Sequence, residues 1–266
     1  MTFEGRDESV GVVDTLMDRS EQSSVDAARR LVVALDVPTY EDAVAIVNEL
    51  RGAVTFYKIG LELVFNGGLR LAQKLLDEGN EVFLDMKLLD IGNTVEKSVR
   101  NIAQLGVHYL TVHALDRKTL RAAIQGKGTR NLKLLGVTVL TNLTNADLAE
   151  QGIKESPSGL ACRRAEMAFE EGFDGVIASG HEAKAIRRLT NERFIIKTPG
   201  IRPPGTPAND QARAMTPREA ILAGANYLVV GRPILRAGDR KKAAIEIQND
   251  IEKGLLELRR RRKGTI

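Results

Sequence analysis

The sequence alternates short apolar runs with longer amphipathic stretches, and the alternation repeats eight times between Leu31 and Leu258. The runs are rich in Val, Ile and Leu, which favours β-strands, and the stretches between them have helical spacing. These 228 residues give 28.5 residues per unit, the usual size of a βα repeat. A doubly wound open sheet uses the same elements, but eight units in succession favour a closed (β/α)8 TIM barrel with no second domain.

The alternation predicts eight strands and eight helices. The strands are Leu31–Leu35, Thr55–Ile59, Glu81–Lys87, Tyr109–His113, Lys133–Val139, Gly175–Ala178, Phe194–Thr198 and Tyr227–Val230. The helices are Tyr40–Leu50, Leu69–Asp77, Asn93–Leu105, Thr119–Ile124, Leu160–Glu171, Glu182–Leu189, Thr216–Ala223 and Lys241–Leu258. In the third helix, Val95, Val99, Ile102 and Leu105 form one apolar stripe. Glycines 79, 106, 172 and 224 stand where left-handed helix caps are needed.

The two ends of the chain differ from this pattern. Residues 1–28 are polar and lack sustained periodicity, which predicts a loosely docked extension before a catalytic domain at residues 29–258. Residues 259–266 form a basic tail. Its run from Arg259 to Lys263 carries five positive charges, so the net charge of +4 becomes −1 without it. Aromatic residues are only 4% of the chain, and no basic–aromatic alternation suits base stacking, so we expect no nucleic-acid partner.

Composition also argues against a secreted, membrane-spanning, disulfide-bonded or metal-binding protein. The acidic first residues have no apolar core of a secretory signal, and no run approaches the ~18 apolar residues of a membrane span. Cys162 is the single cysteine, so an internal disulfide is impossible, and no His, Asp or Cys grouping has convincing metal spacing. We therefore expect a cytoplasmic protein with no membrane partner and no metal.

Polar residues recur where the predicted strands end, which is the catalytic side of such a barrel. They are Asp36, Lys58, Asp85, Lys87, His113, Thr138, Thr141, Lys197, Thr198, Gly231 and Arg232. A purely structural barrel gains nothing from charges at these positions. A single charged residue at a strand end is explained by a salt bridge to a loop. Several charged residues at the same end of the barrel indicate a functional site at the barrel mouth.

The densest group lies in DMKLLDIGNT, residues 85–94. Asp85 and Lys87 are two apart on a strand, so their side chains point to the same face. Asp90 follows the strand end, in the loop before the next helix. A buried ion pair with a loop carboxylate is the structural alternative, but buried pairs are poor stabilisers, so a functional pair is favoured.

This motif after an apolar strand resembles the signature of orotidine 5'-phosphate decarboxylases, and the similarity extends from Leu31 to about Leu235. Five further blocks agree in order: LVVALDV at 31–37, FYKIG at 56–60, VTVLTN at 137–142, TPGIRP at 198–203 and YLVVGRPI at 227–234. The family usually has histidine and proline where this chain has Leu89 and Gly92, and we expect neither position to touch the chemistry.

The resemblance implies a metal-free and cofactor-free decarboxylase that makes uridine 5'-phosphate from orotidine 5'-phosphate in pyrimidine biosynthesis. Lys87 resembles the lysine that protonates C6 of the pyrimidine, and Asp85 the carboxylate beside the departing group. Lys58 and Asp90 complete an alternating charge network. Asp90 and Thr94 are expected to reach the site of a second subunit in a homodimer.

The resemblance also implies the substrate contacts. Asp36 is similar to a ribose-hydroxyl ligand and Thr141 to a pyrimidine-edge contact, while Arg202, Gln211, Gly231 and Arg232 resemble the group that holds the 5'-phosphate. Residues 199–215 have the composition of a closing loop. One alternative is a related barrel lyase for sugar phosphates, which uses Mg²⁺ and carries a glutamate where this chain has Lys58. The other is an inactive nucleotide- or RNA-binding relative, which is expected to have lost one of the four charged residues.

Overall fold

The computed structural model describes residues 24–204 and 214–264. Its centre is a closed barrel of eight parallel strands in the order β1 to β8, each strand hydrogen-bonded to its neighbours in sequence and β8 to β1. The strands are β1 Leu31–Ala34, β2 Phe56–Gly60, β3 Glu81–Leu88, β4 Tyr109–His113, β5 Lys133–Val137, β6 Gly175–Ile177, β7 Ile195–Thr198 and β8 Tyr227–Val230. The predicted (β/α)8 barrel is confirmed.

A helix follows every strand and packs outside the barrel. The main helices are α1 Tyr40–Leu50, α2 Leu69–Asp77, α3 Gly92–Gln104, α4 Arg117–Lys127, α5 Pro157–Glu170, α6 Gly180–Leu189, α7 Pro217–Leu222 and α8 Arg240–Lys263. The last helix continues beyond its predicted end at Leu258. The basic run from Arg259 to Lys263 is therefore the final turn of α8, where its charges suit the helix dipole.

Three short helical segments lack a predicted counterpart: the irregular Leu61–Gly68, Asn145–Glu150 and Arg232–Leu235. Residues 24–28 are also helical, within the predicted extension. In the part of the chain that the structure describes, no helix is both long and apolar enough to span a membrane.

Helix ends follow the local chemistry of the sequence. Gly79, Gly106, Gly172 and Gly224 all have positive φ, between 78° and 109°, as predicted for left-handed caps. At the other ends, a Ser, Thr or Asp side chain accepts a backbone N–H at the start of α1, α4, α5, α6, α7 and α8.

The helix-facing core confirms the α3 stripe only in part. Val95 and Val99 are fully buried and Ile102 is partly buried, but Leu105 is 38% exposed. Ala103 takes a buried position instead. Leu105 caps the helix beyond its last full turn, where the chain turns away towards β4.

Inside the barrel, aromatic rings fill the space below the carboxyl ends of the strands. Phe56, Phe83, Tyr109 and Tyr227 contact one another, with Phe56 stacked 5.3 Å from Tyr109. We call these four rings the aromatic floor.

The register of β3 against β4 shifts just where the barrel reaches that upper layer. Leu84 lies opposite Leu110 and Leu88 opposite Val112, so four residue steps on β3 match two on β4. The extra residues form a bulge that contains Asp85 and Lys87. Bulges of this kind re-aim side chains next to active sites.

Candidate active site

A cavity of about 370 Å³ opens at the carboxyl ends of the strands. Most of the predicted site residues line it: Asp36, Lys58, Asp85, Lys87, Thr141, Arg202, Gly231 and Arg232. Lys58 lies in β2, and Asp85 and Lys87 lie in β3, while the others come from the segments after β1, β5, β7 and β8. The barrel therefore gathers residues that are up to 196 positions apart in the sequence.

Four charged side chains in the cavity form a chain of alternating sign. Lys58 Nζ lies 2.8 Å from Asp36 Oδ1 and 3.6 Å from Asp85 Oδ2. Lys87 Nζ lies 2.7 Å from the same Asp85 oxygen. Asp85 is thus held between two ammonium groups, and the predicted placement of Asp85 and Lys87 on one face is confirmed.

Burial and charge act in opposite directions on this network. Lys58 is 7% exposed and Asp85 is 9% exposed. Burial alone would raise the pKa of the Asp85 carboxyl, but Lys58 and Lys87 outweigh it and hold that pKa below its ordinary value. Likewise, burial would lower the pKa of the Lys58 amine, but Asp85 and Asp36 raise it. Both groups are therefore charged near neutral pH.

Lys87 is the only residue other than glycine with positive φ in the described ranges, at 48°. Such a backbone is costly for a side-chain-bearing residue and persists only where its surroundings impose it. Its backbone N–H donates to Thr111 Oγ1 at 2.9 Å, and Thr111 Oγ1 donates to Asp85 Oδ1 at 2.9 Å. Thr111 thus fixes the strained backbone and the carboxylate together.

The sequence interpretation missed Thr111, although a signal for it exists. Thr111 interrupts the apolar strand YLTVH at a position two residues from both Tyr109 and His113. On a strand that places it on the barrel-facing side. It is fully buried, so its hydroxyl needs a partner within the protein.

Several polar residues predicted for the mouth lie elsewhere. His113, Thr138, Lys197 and Thr198 are not among the residues that line the cavity. Thr138 Oγ1 donates to the carbonyl of Ile177 at 2.8 Å. All four stand at strand ends as predicted, but a strand-end position does not fix the depth of a side chain, so they do not all reach the cavity.

Lys197 shows that difference most clearly. Its Nζ lies within the aromatic floor, 3.2 Å from the ring centroid of Tyr109 and 4.0 Å from that of Phe56. It also lies 4.6 Å from the ring centroid of Tyr227 and 4.9 Å from that of Phe83. Burial lowers the pKa of this amine well below its ordinary value. Phe83 lines the cavity above, so Lys197 lies one ring below the site.

Two cationic residues border the opposite wall of the cavity. Arg202 is 8% exposed, and its Nη1 donates to the carbonyl of Ile201 at 2.8 Å. Its backbone N–H donates to the carbonyl of Met215 at 2.9 Å, which joins the two ends of the 199–215 segment. Arg232 begins the short helix after β8. Guanidinium groups in such a place suit a phosphate.

Two further predicted residues that the structure describes do not line this chain's own cavity. Asp90 and Thr94 are exposed in the loop after β3 and at the start of α3, and neither lines the cavity. Asp90 Oδ1 accepts the N–H of Ile91 at 2.7 Å. Leu89 and Gly92, where the chain departs from the family pattern, also lie outside the lining. Gln211 and the middle of the predicted closing loop, residues 205–213, lie outside the described residues.

The arrangement has the elements of carbanion chemistry. An ammonium group such as that of Lys87 is able to donate a proton beside an ionised carboxylate, and the Lys58 ammonium places a second positive charge at the same carboxylate. Fixed charges stabilise a developing negative charge more strongly in an enclosed cavity than in water.

Comparison with known proteins agrees with this geometry. Residues 29–247 match the model of the family "Orotidine 5'-phosphate decarboxylase / HUMPS family". The chain is 48% identical over 227 residues to orotidine 5'-phosphate decarboxylase of Rhodopseudomonas palustris strain BisA53, which covers 85% of this chain and 96% of that protein. It is 47% identical over 222 residues to the enzyme of strain HaA2, which covers 84% of this chain and 94% of that protein.

A solved structure extends the similarity to three dimensions. The crystal structure of orotidine 5'-phosphate decarboxylase from Lactobacillus acidophilus superimposes with a TM-score of 0.74 at 35% sequence identity. The match covers 83% of this chain and 98% of that one. Sequence, fold and family model together show that the chain belongs to the orotidine 5'-phosphate decarboxylase / HUMPS family.

Proposed function

We propose that this protein is a carboxy-lyase that converts orotidine 5'-phosphate to uridine 5'-phosphate and CO2. The observation that carries the proposal is the alternating network of Asp36, Lys58, Asp85 and Lys87 in an enclosed cavity. The product is a pyrimidine nucleotide, so we assign the step to pyrimidine biosynthesis, and we place it in the cytoplasm.

In the proposed reaction, the bond between C6 and the carboxyl carbon breaks and leaves its electron pair on C6. The Lys87 ammonium then transfers a proton to C6, and the neutral amine regains a proton from solvent. Asp85 lies beside the substrate carboxylate, where a second negative charge favours its departure. Lys58 keeps Asp85 ionised and offsets the charge that forms.

Substrate binding is assigned to the rest of the cavity. Asp36 accepts a hydrogen bond from Lys58 and is otherwise open to solvent, so it is available to a ribose hydroxyl. Thr141 faces the pyrimidine edge. Arg202, Gly231 and Arg232 hold the 5'-phosphate, with Gln211 as a further ligand. The phosphate lies away from the reacting carbon, so its binding energy is used for positioning.

We further propose a homodimer in which Asp90 and Thr94 complete the partner's site. Both residues are exposed, and neither lines the cavity of its own chain. Leu89 and Ile91, the neighbours of Asp90 in sequence, are exposed apolar residues, and so is Phe65, at 87% exposure, in the segment after the adjacent strand β2. Large apolar side chains exposed together mark protein interfaces. A second copy that covers this surface brings Asp90 and Thr94 to the neighbouring cavity.

The alternative of a Mg²⁺-dependent barrel lyase for sugar phosphates is disfavoured by Lys58. An ammonium group 3.6 Å from Asp85 repels a divalent cation at that carboxylate. The proposed reaction accordingly uses no metal and no cofactor. An inactive nucleotide-binding relative is disfavoured because Lys58, Asp85, Lys87 and Asp90 are all present.

The proposal is tested by incubating the purified protein with orotidine 5'-phosphate in the presence of EDTA. Loss of the pyrimidine absorbance is the expected result, and a folded protein without turnover under these conditions would overturn the assignment. Turnover that requires added Mg²⁺ would favour the metal-dependent alternative.

Lys87→Ala provides the matched test of mechanism in the same assay. Removal of a general acid costs about 10²–10⁴-fold, so activity should fall below roughly a hundredth of wild type while circular dichroism remains unchanged. Lys118→Ala, at an exposed position outside the cavity lining, is the control and should keep full activity. A Lys87→Ala protein that keeps more than about a hundredth of wild-type activity would contradict the role of Lys87 as general acid.

A further inference from the structure

A second concave surface lies at the other end of the barrel from the proposed active site. It is bordered by Arg30, directly before β1, Asn226, directly before β8, and Glu192, before β7, together with the ends of α6 and α8. We call it the basal cleft. Its volume is about 580 Å³, and the proposed reaction does not involve it.

Positive charge dominates the basal cleft. Among its described lining residues, seven basic side chains face two acidic ones, Asp26 and Glu192, which leaves a net charge of +5. The basic side chains besides Arg30 come from two helices: Lys184, Arg187 and Arg188 from α6, and Arg259, Arg261 and Arg262 from α8. A concave surface with one sign of charge concentrates ions of the opposite sign.

Two of these guanidinium groups are fixed in place by neutral oxygens. Arg187 donates to the carbonyls of Asn191, Phe194 and Gly224 and to Asn226 Oδ1. Arg30 Nη1 donates to the carbonyl of Asn226 at 3.0 Å. Burial lowers the pKa of both arginines, and neither forms a salt bridge with a described residue, so Asp26 near Arg30 and Glu192 near Arg187 oppose the shift only in part. The two guanidinium groups are therefore fixed in orientation, and an anion in the cleft would stabilise their charges.

The other basic side chains are accessible. Lys184 and Arg188 are exposed on successive turns of α6, and neither forms a salt bridge with a residue that the structure describes. Arg259 pairs with Asp26 at 2.8 Å, Arg261 with Glu257 at 2.6 Å and Arg262 with Glu192 at 3.0 Å, but these pairs lie at the surface. Exposed pairs contribute only ~0–1 kcal/mol, so a stronger anion can displace them.

We propose that the basal cleft binds a small oligophosphate anion, of the class of nucleoside di- and triphosphates. Guanidinium groups match phosphate oxygens in paired hydrogen bonds, and a net charge of +5 suits a ligand with several negative charges. The concave shape and volume suit a ligand of nucleotide size. Its described lining contains no aromatic residue on which successive bases of a single strand would stack, which disfavours RNA.

Calorimetric titration with inorganic tripolyphosphate tests the proposal. Because Arg232 provides a competing phosphate contact in the catalytic cavity, the titration is made on wild type and on Arg232→Ala. We expect both to bind one tripolyphosphate in the cleft, and orthophosphate to bind at least about tenfold more weakly, since it meets fewer of the cations.

The deciding comparison uses two double variants that each remove two positive charges. Lys184→Gln/Arg188→Gln should raise the Kd for tripolyphosphate at least about tenfold, a change of ~1.4 kcal/mol. Lys118→Gln/Arg130→Gln, at exposed positions outside the cleft lining, should leave it unchanged.

Equal Kd values for the two double variants would overturn the proposal. So would loss of all binding in Arg232→Ala, which would assign the anion to the catalytic cavity. Tighter binding of a single-stranded RNA oligomer, abolished by the same Lys184/Arg188 variant, would replace the proposed ligand class. None of these outcomes depends on whether the protein decarboxylates orotidine 5'-phosphate.

Discussion

Thr111 connects the two residues of the proposed catalytic pair through one hydroxyl group. Thr111→Val keeps the size of the side chain but leaves the Lys87 N–H and Asp85 Oδ1 without that partner. A hydrogen bond to a charged group is worth ~1.5–3 kcal/mol, so we expect kcat to fall about tenfold or more with a smaller change in KM. Steady-state kinetics with orotidine 5'-phosphate measure both.

Two controls separate positioning from general support of the barrel. Thr111→Ser keeps the hydroxyl and should restore most of kcat. Thr138→Val removes a similarly buried hydroxyl, which donates to Ile177 outside the catalytic network, and should leave kcat close to wild type. Equal losses in Thr111→Val and Thr138→Val would show that Thr111 is merely structural.

For Lys197 we predict an effect of substitution on the free energy of unfolding, not on catalysis. Its amine lies among four aromatic rings, and its Nζ has no hydrogen-bond partner in the described part of the chain. Replacing buried ionic groups by apolar residues of similar volume stabilises proteins by about 1–4 kcal/mol, so Lys197→Met should raise the free energy of unfolding by that order. Urea denaturation measures it, and Lys118→Met serves as the exposed control.

The pH dependence of that difference has a definite sign. Burial lowers the folded-state pKa of Lys197, so between that pKa and the unfolded value the unfolded chain binds more protons. Stability of the wild type therefore rises with pH through this window, and the advantage of Lys197→Met is largest below it. An advantage that stays constant up to the ordinary lysine pKa, or a destabilised variant, would contradict a depressed pKa.

At the residue scale, the sequence predicted which charged residues form the site better than it predicted how deep each side chain lies in the barrel. The spacing of Asp85 and Lys87 predicted their shared face, and the strand-end positions of Asp36 and Lys58 predicted that these residues lie at the same end of the barrel. The positive φ of Lys87 could not be predicted because the β3 bulge depends on pairing with β4. Lys197 was misplaced because strand-end position alone does not tell whether a side chain reaches the cavity or the aromatic floor.

At the scale of elements, the periodic segments were predicted well because each has a buried apolar face and a marked end. Four strands or helices match their predicted bounds in full: Tyr40–Leu50, Leu69–Asp77, Tyr109–His113 and Tyr227–Val230. The short elements were missed. Asn145–Glu150 carries a readable signal, since Thr144 and Asp147 form a capping box, but Leu61–Gly68 is interrupted by non-helical Asn66 and Gly67.

The short helix Arg232–Leu235 after β8 allows a test of phosphate binding. A charge-assisted arginine–phosphate contact in a closed site is worth ~2–4 kcal/mol, so Arg232→Ala should lower kcat/KM by ~30–1,000-fold. If phosphate binding also positions the substrate, part of the loss appears in kcat. Added guanidinium should restore some activity because it supplies the same donors.

The matched control for Arg232 is a substrate without the phosphate. Orotidine never makes the contact, so Arg232→Ala should lose little activity toward it relative to wild type. An equal proportional loss with both substrates would mean that Arg232 supports the structure of the barrel mouth.

At the scale of the whole molecule, one chain holds an incomplete version of the proposed site. The cavity contains Asp36, Lys58, Asp85 and Lys87, but the chain's own Asp90 is exposed outside the lining. Ile91, next to Asp90 in sequence, and Phe65, after the adjacent strand β2, are exposed apolar residues that a second copy would cover. Phe65→Lys should therefore favour monomers and lower activity together, since the two losses have one cause.

Mixing two inactive variants tests whether sites are shared between subunits. In a heterodimer of Lys87→Ala and Asp90→Ala chains, one site carries both substitutions and the other carries neither, because each site takes Lys87 from one chain and Asp90 from its partner. Random exchange of equal amounts makes about half of the dimers mixed, so the mixture should recover about a quarter of wild-type activity. Each variant alone is the baseline, and subunit exchange is verified with chains of different mass. If verified heterodimers stay as inactive as the separate variants, Asp90 does not serve the neighbouring site.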